Sequence, residues 1–144
     1  MTDDEADRLQ RGFADWADGE ASCRALAVVG SWARGTARAD SDLDLMMLTD
    51  QLGHWTGDGD WLRALLVRLG FTVTALELEA HGVARSWRAW LGAAVELEVT
   101  LADIRWAQVA PVDPGTREVA GDGLRPMVDK DGLLRALQEA LARP

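Results

Sequence analysis

Gly30-Ser31-Trp32-Ala33-Arg34-Gly35-Thr36-Ala37-Arg38-Ala39-Asp40-Ser41-Asp42-Leu43-Asp44-Leu45 is the stretch on which the reading of this chain turns. Before it, Arg24 to Val29 is a short apolar run suited to a buried strand, and after it Asp42 to Thr49 begins as acid alternating with apolar residues and then becomes wholly apolar. That is the pattern of a central strand with one end emerging into a cleft. A glycine at position 30 lets backbone come close to an anion, and Ser31 adds a hydroxyl where the first N–H groups of a helix point outward. Asp42 and Asp44, two apart on a strand, project from the same face, so their carboxylates can share divalent cations, and Mg²⁺ takes such oxygen ligands. Arg34 and Arg38, in the connecting loop, are candidates to neutralise phosphate charge.

A third carboxylate is expected from a neighbouring strand. Ala94 to Leu101 alternates as one and carries Glu96 and Glu98 on the same face. Either could reach a metal held by Asp42 and Asp44, and the same alternation also fits the solvent face of an edge strand. Elsewhere, Leu9, Phe13 and Trp16 mark a helix over Asp3 to Asp18 with Gly19 at its end, and a second helix fits Asp60 to Leu69 with Gly70 as its stop. Phe71 to Glu79 alternates as a strand. Val83 to Leu91 suits another, although Trp87, Trp90 and Leu91 also share a helical face. Gln51 to Gly59 reads as loop, Val109 to Gly123 as loop around a short strand near Arg117 to Ala120, and Asp131 to Ala142 as a last helix. The expected fold class is therefore α/β (α+β), a mixed β-sheet flanked by helices, in one domain over residues 1–144.

Composition narrows the partners. The chain has 144 residues, 48% of them hydrophobic, and a formal charge of −9, so one compact core is feasible. A surface of that sign repels nucleic-acid phosphates, which makes a nucleic acid a poor partner. A small-molecule or protein acceptor suits it better. Lone Cys23 permits no internal disulfide and reads as a small buried side chain, and no apolar run approaches a membrane span. A cytoplasmic protein with no membrane association is expected. His54 and His81 have no metal-ligand spacing, Trp32 suits core packing more than a pocket, and Asp58 and Asp60 suit the start of a helix.

Gly-Ser, a glycine five residues after the first, and Ser-Asp-Leu-Asp-Leu about ten residues on together resemble the signature of the nucleotidyltransferase superfamily related to DNA polymerase β, in its minimal bacterial branch. Leu97-Glu98-Val99-Thr100 followed by Trp106 is loosely similar to the strand that holds the third carboxylate in aminoglycoside adenylyltransferases. The resemblance implies the nucleotidyltransferase fold. It also implies that Asp42 and Asp44 bind two Mg²⁺ ions and that Glu98, rather than Glu96, completes the first ion's site or acts as base. Gly30 and Ser31 would hold the β- and γ-phosphates of a nucleoside triphosphate. The implied activity is transfer of a nucleoside monophosphate, AMP from ATP foremost, to a hydroxyl of a small molecule or protein. The alternative is a noncatalytic nucleotide-binding or interaction module, such as an antitoxin that restrains a small helical partner protein. A homodimer is a further option.

Overall fold

The computed structural model describes residues 1–143. Six strands form one mixed sheet in the order β3-β4-β5-β2-β1-β6. The first helix, α1 (Asp3–Asp18), starts on a capping box in which Thr2 and Glu5 bond each other's backbone N–H, and its buried Ala6, Leu9, Phe13 and Ala17 lie on one face of the sheet. The chain then runs through β1 (Cys23–Val29) into α2 (Ser31–Arg34) and back through β2 (Leu43–Thr49), antiparallel to β1. Helices α3 (Leu52–Trp55) and α4 (Asp60–Arg68) follow. The meander β3 (Val73–His81), β4 (Ala84–Leu91) and β5 (Val95–Asp103) then returns the chain so that β5 lies parallel to β2. A 3-10 turn (Ile104–Ala107), α5 (Pro114–Gly121), edge strand β6 (Leu124–Asp129) and α6 (Leu133–Ala142) complete it.

Central β2 explains the apolar run. It is covered on both faces: Leu43, Leu45 and Met47 join Leu9, Phe13, Leu62 and Leu66 in the larger core, whereas Met46 and Leu48 face Leu134 and Leu137 of α6. Only its first turn is left open on the second face, at Asp44. Burial at ~1.5–3 kcal/mol per large apolar side chain holds the helices against the sheet. Part of that core is aromatic. Trp55 carbonyl oxygen accepts from the indole N–H of both Trp61 and Trp87, and Trp16 stacks on Trp61. Cys23 is buried, and no helix among the described residues is long and apolar enough to cross a membrane.

Three expectations need correction. The segment near Arg117–Ala120 is helix, not strand, because Asp113 caps the N–H groups of Gly115 and Thr116 and Pro114 occupies the first turn. Leu52–Trp55, within the expected loop of Gln51 to Gly59, makes one helical turn that delivers Trp55 into the core. Strand β6 was not anticipated at all. Pro126 argues against a strand interior, but β6 pairs only with β1 and lies at the sheet edge, where a missing donor is tolerated. Val83 to Leu91, ambiguous between helix and strand, is a strand.

Candidate active site

Register brings the acidic residues together. Asp44 on β2 lies beside Glu98 on β5 on one side and beside Val29 on β1 on the other, so the turn after Val29 sits over the Asp44 carboxylate. Gly30 takes φ 72 and ψ −150, a left-handed conformation that side chains disfavour. A Cβ there would come within 2.8 Å of the Asp44 Oδ2. Both facts require glycine, so Gly30 serves the approach of backbone to Asp44 itself. Ser31 then opens α2, whose third and fourth N–H groups return to the Gly30 carbonyl. The Ser31 hydroxyl has no protein partner among the described residues.

Asp42, Asp44, Glu96 and Glu98 share one sheet face, and that face is crossed by ordered cross-strand pairs between β4 and β5. Ser86 and Thr100 hydroxyls meet at 2.8 Å, Arg88 donates to Glu98 at 2.6 Å, and the Trp90 indole N–H donates to Glu96 at 2.9 Å. Each of these is a direct register pair. Arg88 also reaches Glu96 at 3.2 Å and Asp42 at 3.5 Å. Burial, with the charges of Glu98 and Asp42, pushes the Asp44 carboxyl up to about 6. Asp42 is raised too, by burial and by the charge and hydrogen bonding of Glu96. Glu98 thus acts on both aspartates, while Glu96 acts chiefly on Asp42.

All four donors are carboxylates, the hard oxygen ligands that Mg²⁺ takes, so the chemistry of the set fits a divalent ion. Among the described residues no three of them stand close enough to close on one. The Arg88 guanidinium stands among them, donating to Glu98 Oε2, Glu96 and Asp42.

A groove of about 1070 Å³ opens from Asp44, Gly30 and Glu98 toward Trp106, the β3–β4 turn and α5. It exceeds the ~300–1,000 Å³ of ordinary ligand pockets. Arg34 pairs with Asp122 at 2.8 Å, tying α2 to the end of α5, and its charge still acts on Asp44. Arg38 is exposed in the loop before β2. Trp32 packs against the larger core with its indole N–H unpartnered among the described residues. His54 and His81 are exposed, and Asp58 accepts from the Asp60 N–H at the start of α4.

Arg88 is the residue that the sequence reading missed. The signal was Ser86, Arg88 and Trp90 alternating on one face, which is visible only once Ala84–Leu91 is known to be a strand.

Comparison with known proteins bears on the fold. Residues 21–81 match the family described as Nucleotidyltransferase domain. Among solved structures, an aminoglycoside 6-adenyltransferase from Bacillus subtilis superimposes with a TM-score of 0.54 at 16% sequence identity. The match covers 74% of this chain and 37% of that one, so the chain spans little more than a third of its neighbour's length. No curated protein matches the sequence.

Proposed function

We propose that this chain, a minimal nucleotidyltransferase domain by fold and loosely similar to aminoglycoside adenylyltransferases, transfers a nucleoside monophosphate from a nucleoside triphosphate to an acceptor hydroxyl. The observation that carries the reading is the register that sets Asp44 beside Glu98, next to the Gly30 turn and at the mouth of one groove, with Asp42 two residues before Asp44 on the same face. Carboxylates in apposition cost stability unless cations compensate them; Arg88 pairs with Glu98 and Asp42, whereas Asp44 has no ion-pair partner among the described residues, which favours a bound cation there.

In this proposal Asp42 and Asp44 hold Mg²⁺, with Glu98 as the third carboxylate; two ions are in keeping with the paired aspartates. Bound metal would neutralise charge on the triphosphate. The Gly30-Ser31 backbone and the Ser31 hydroxyl hold the β- and γ-phosphates. Glu98 accepts the proton of the acceptor hydroxyl as its oxygen bonds to the α-phosphorus, and the bond to the bridging oxygen breaks to release pyrophosphate. Catalysis by these residues is positioning and charge compensation. Arg34, engaged by Asp122, and exposed Arg38 would contribute to the triphosphate only by reorienting.

AMP is the proposed donor group, in line with the neighbour being an adenyltransferase. The groove beyond Asp44 offers the acceptor its place, whether that is a small molecule or a side chain of a partner protein. The test is a thermal-shift comparison of the four nucleoside triphosphates with and without Mg²⁺, since a ligand that binds only the folded chain raises its melting temperature. A rise that requires both Mg²⁺ and one nucleotide, followed by mass-spectrometric detection of an adenylylated species in extract given labelled ATP, is the expected result. No Mg²⁺-dependent shift with any nucleotide would remove the basis of the proposal.

A further inference from the structure

We propose that Arg88 is an internal counter-cation that the divalent metal displaces: its guanidinium holds the carboxylate cluster together and must release Glu98 before those carboxylates close on an ion. The inference rests on the metal-site reading above and adds a regulated step to it. Arg88 stands on β4 directly opposite Glu98 on β5. Its two terminal nitrogens reach Glu98 at 2.6 Å, Glu96 at 3.2 Å and Asp42 at 3.5 Å, and its Nε lies 3.6 Å from Glu79 on β3. Among the described residues no other cation is ion-paired to Asp42, Glu96 or Glu98.

Competition follows from which atoms are used. The short bond takes Glu98 Oε2, one of the two oxygens through which Glu98 would join an ion beside Asp44, so Arg88 and the ion compete for the same carboxylate. Glu79 supplies the alternative seat. It lies on the β3 side of Arg88, away from β5 and β2, so a small rotation of the side chain exchanges Glu98 for Glu79 without leaving the cation unpaired. The Arg88 side chain is 24% exposed, which leaves it room to rotate. Charge favours the resting state as well: burial opposes the Arg88 cation, but Glu98, Glu79, Asp42 and Glu96 together outweigh it and hold its pKa above the ordinary value. Asp44, which Arg88 does not touch, remains open for the incoming ion.

A displaced counter-cation and a permanent positioning residue make opposite predictions for metal affinity. If Arg88 serves only to orient Glu98, its loss weakens both the fold and metal binding. Displacement predicts that the two separate. The experiment measures Mn²⁺ binding at pH 8 by the paramagnetic resonance signal of the free ion, with no nucleotide, and melting temperature in chelator, for wild type, Arg88→Met and Arg88→Lys. Arg88→Met should melt lower in chelator yet bind Mn²⁺ on the order of tenfold more tightly, the effect of removing one unit charge within about 5 Å of a divalent ion in a high-dielectric setting. Arg88→Lys keeps the charge but not the fork that spans Glu98 and Glu96, so its affinity should fall between the two. Should Arg88→Met fail to fold, Arg88→Lys alone decides: tighter binding than wild type supports displacement. Equal or weaker Mn²⁺ binding by the folded variants, including no binding by any of them, overturns it. Asp44→Asn separates the two levels, because Mn²⁺ affinity unchanged by that substitution sinks the metal-site reading itself, whatever Arg88 does.

Discussion

Replacing Asp44 by Asn should make the metal-free protein more stable near neutral pH, and the structure gives the size of the gain. The folded-state carboxyl stands at about 6 because of burial, Glu98 and Asp42, against an ordinary value of 3.8. A carboxyl raised in this way favours folding while protonated. Its contribution is complete below about pH 4 and is lost as pH rises through about 6. Two units correspond to about 3 kcal/mol in full, and solvent reaching the half-open carboxylate reduces this to about 1–2 kcal/mol. Asn keeps the shape without the charge, and no hydrogen bond to the Asp44 side chain is lost among the described residues. For a domain of this size the gain is roughly 3–6 °C in melting temperature. Thermal denaturation of wild type and Asp44→Asn in chelator from pH 4 to 8 measures it. The two curves should meet near pH 4 and diverge through pH 6, with the variant higher above it. Saturating Mg²⁺ should then raise the wild type and leave the variant nearly unmoved. A variant no more stable than wild type at pH 8 in chelator would refute the argument that this carboxylate is held against its electrostatic preference.

Glu98→Gln should leave Mg²⁺-dependent nucleotide binding largely intact while reducing transfer by ~10²–10⁴-fold once an acceptor is known, whereas Glu96→Gln should keep most transfer; equal losses in single-turnover assays would reject Glu98 as the base. Gly30→Ala should cost about 1–3 kcal/mol for the left-handed backbone and abolish the Mg²⁺-dependent nucleotide shift, because the new methyl displaces Asp44; an unaltered shift would show that the close approach is incidental. Asp113→Ala should remove the cap of α5 and cost about 1 kcal/mol in chemical denaturation. Arg34→Ala, which breaks an exposed ion pair with Asp122, should cost no more than about 1 kcal/mol, and a larger loss would mean that α2 depends on α5 for its position.

Much of the fold was legible because its signals are local. The helix over Asp3–Asp18 follows from apolar spacing and an acidic first turn, and its bounds agree with the structure. The strands expected at Arg24–Val29, Asp42–Thr49 and Ala94–Leu101 are neighbours in the order β5-β2-β1, displaced by one or two residues at their ends. Their apolar runs had no other place than a covered sheet. Less legible was the segment after Ala107. Asp113-Pro114 is a helix start written in two residues, but the glycines that follow mask it, and α5 is held in place by Trp106 and Thr116, whose hydroxyl bonds the Trp106 carbonyl.

By itself the sequence determined the composition of the site: Gly30 and Ser31 after one strand, Asp42 and Asp44 at the start of the next, and two candidate glutamates on a third. Those are properties of covalent spacing, since a period of two puts Asp42 with Asp44 and Glu96 with Glu98 whatever surrounds them. Which glutamate meets which aspartate was decided only by tertiary structure. The parallel register sets Asp44 beside Glu98, and a shift of two residues would have set it beside Glu96 with every side chain still on its own face. Arg88 belongs wholly to that second kind of information. It lies more than forty residues from Asp42 in the chain, and only the return of the β3–β4–β5 meander to β2 brings its charge among the carboxylates. Electrostatic compensation depends on distance through space, which neither the period of a strand nor the spacing of a motif contains.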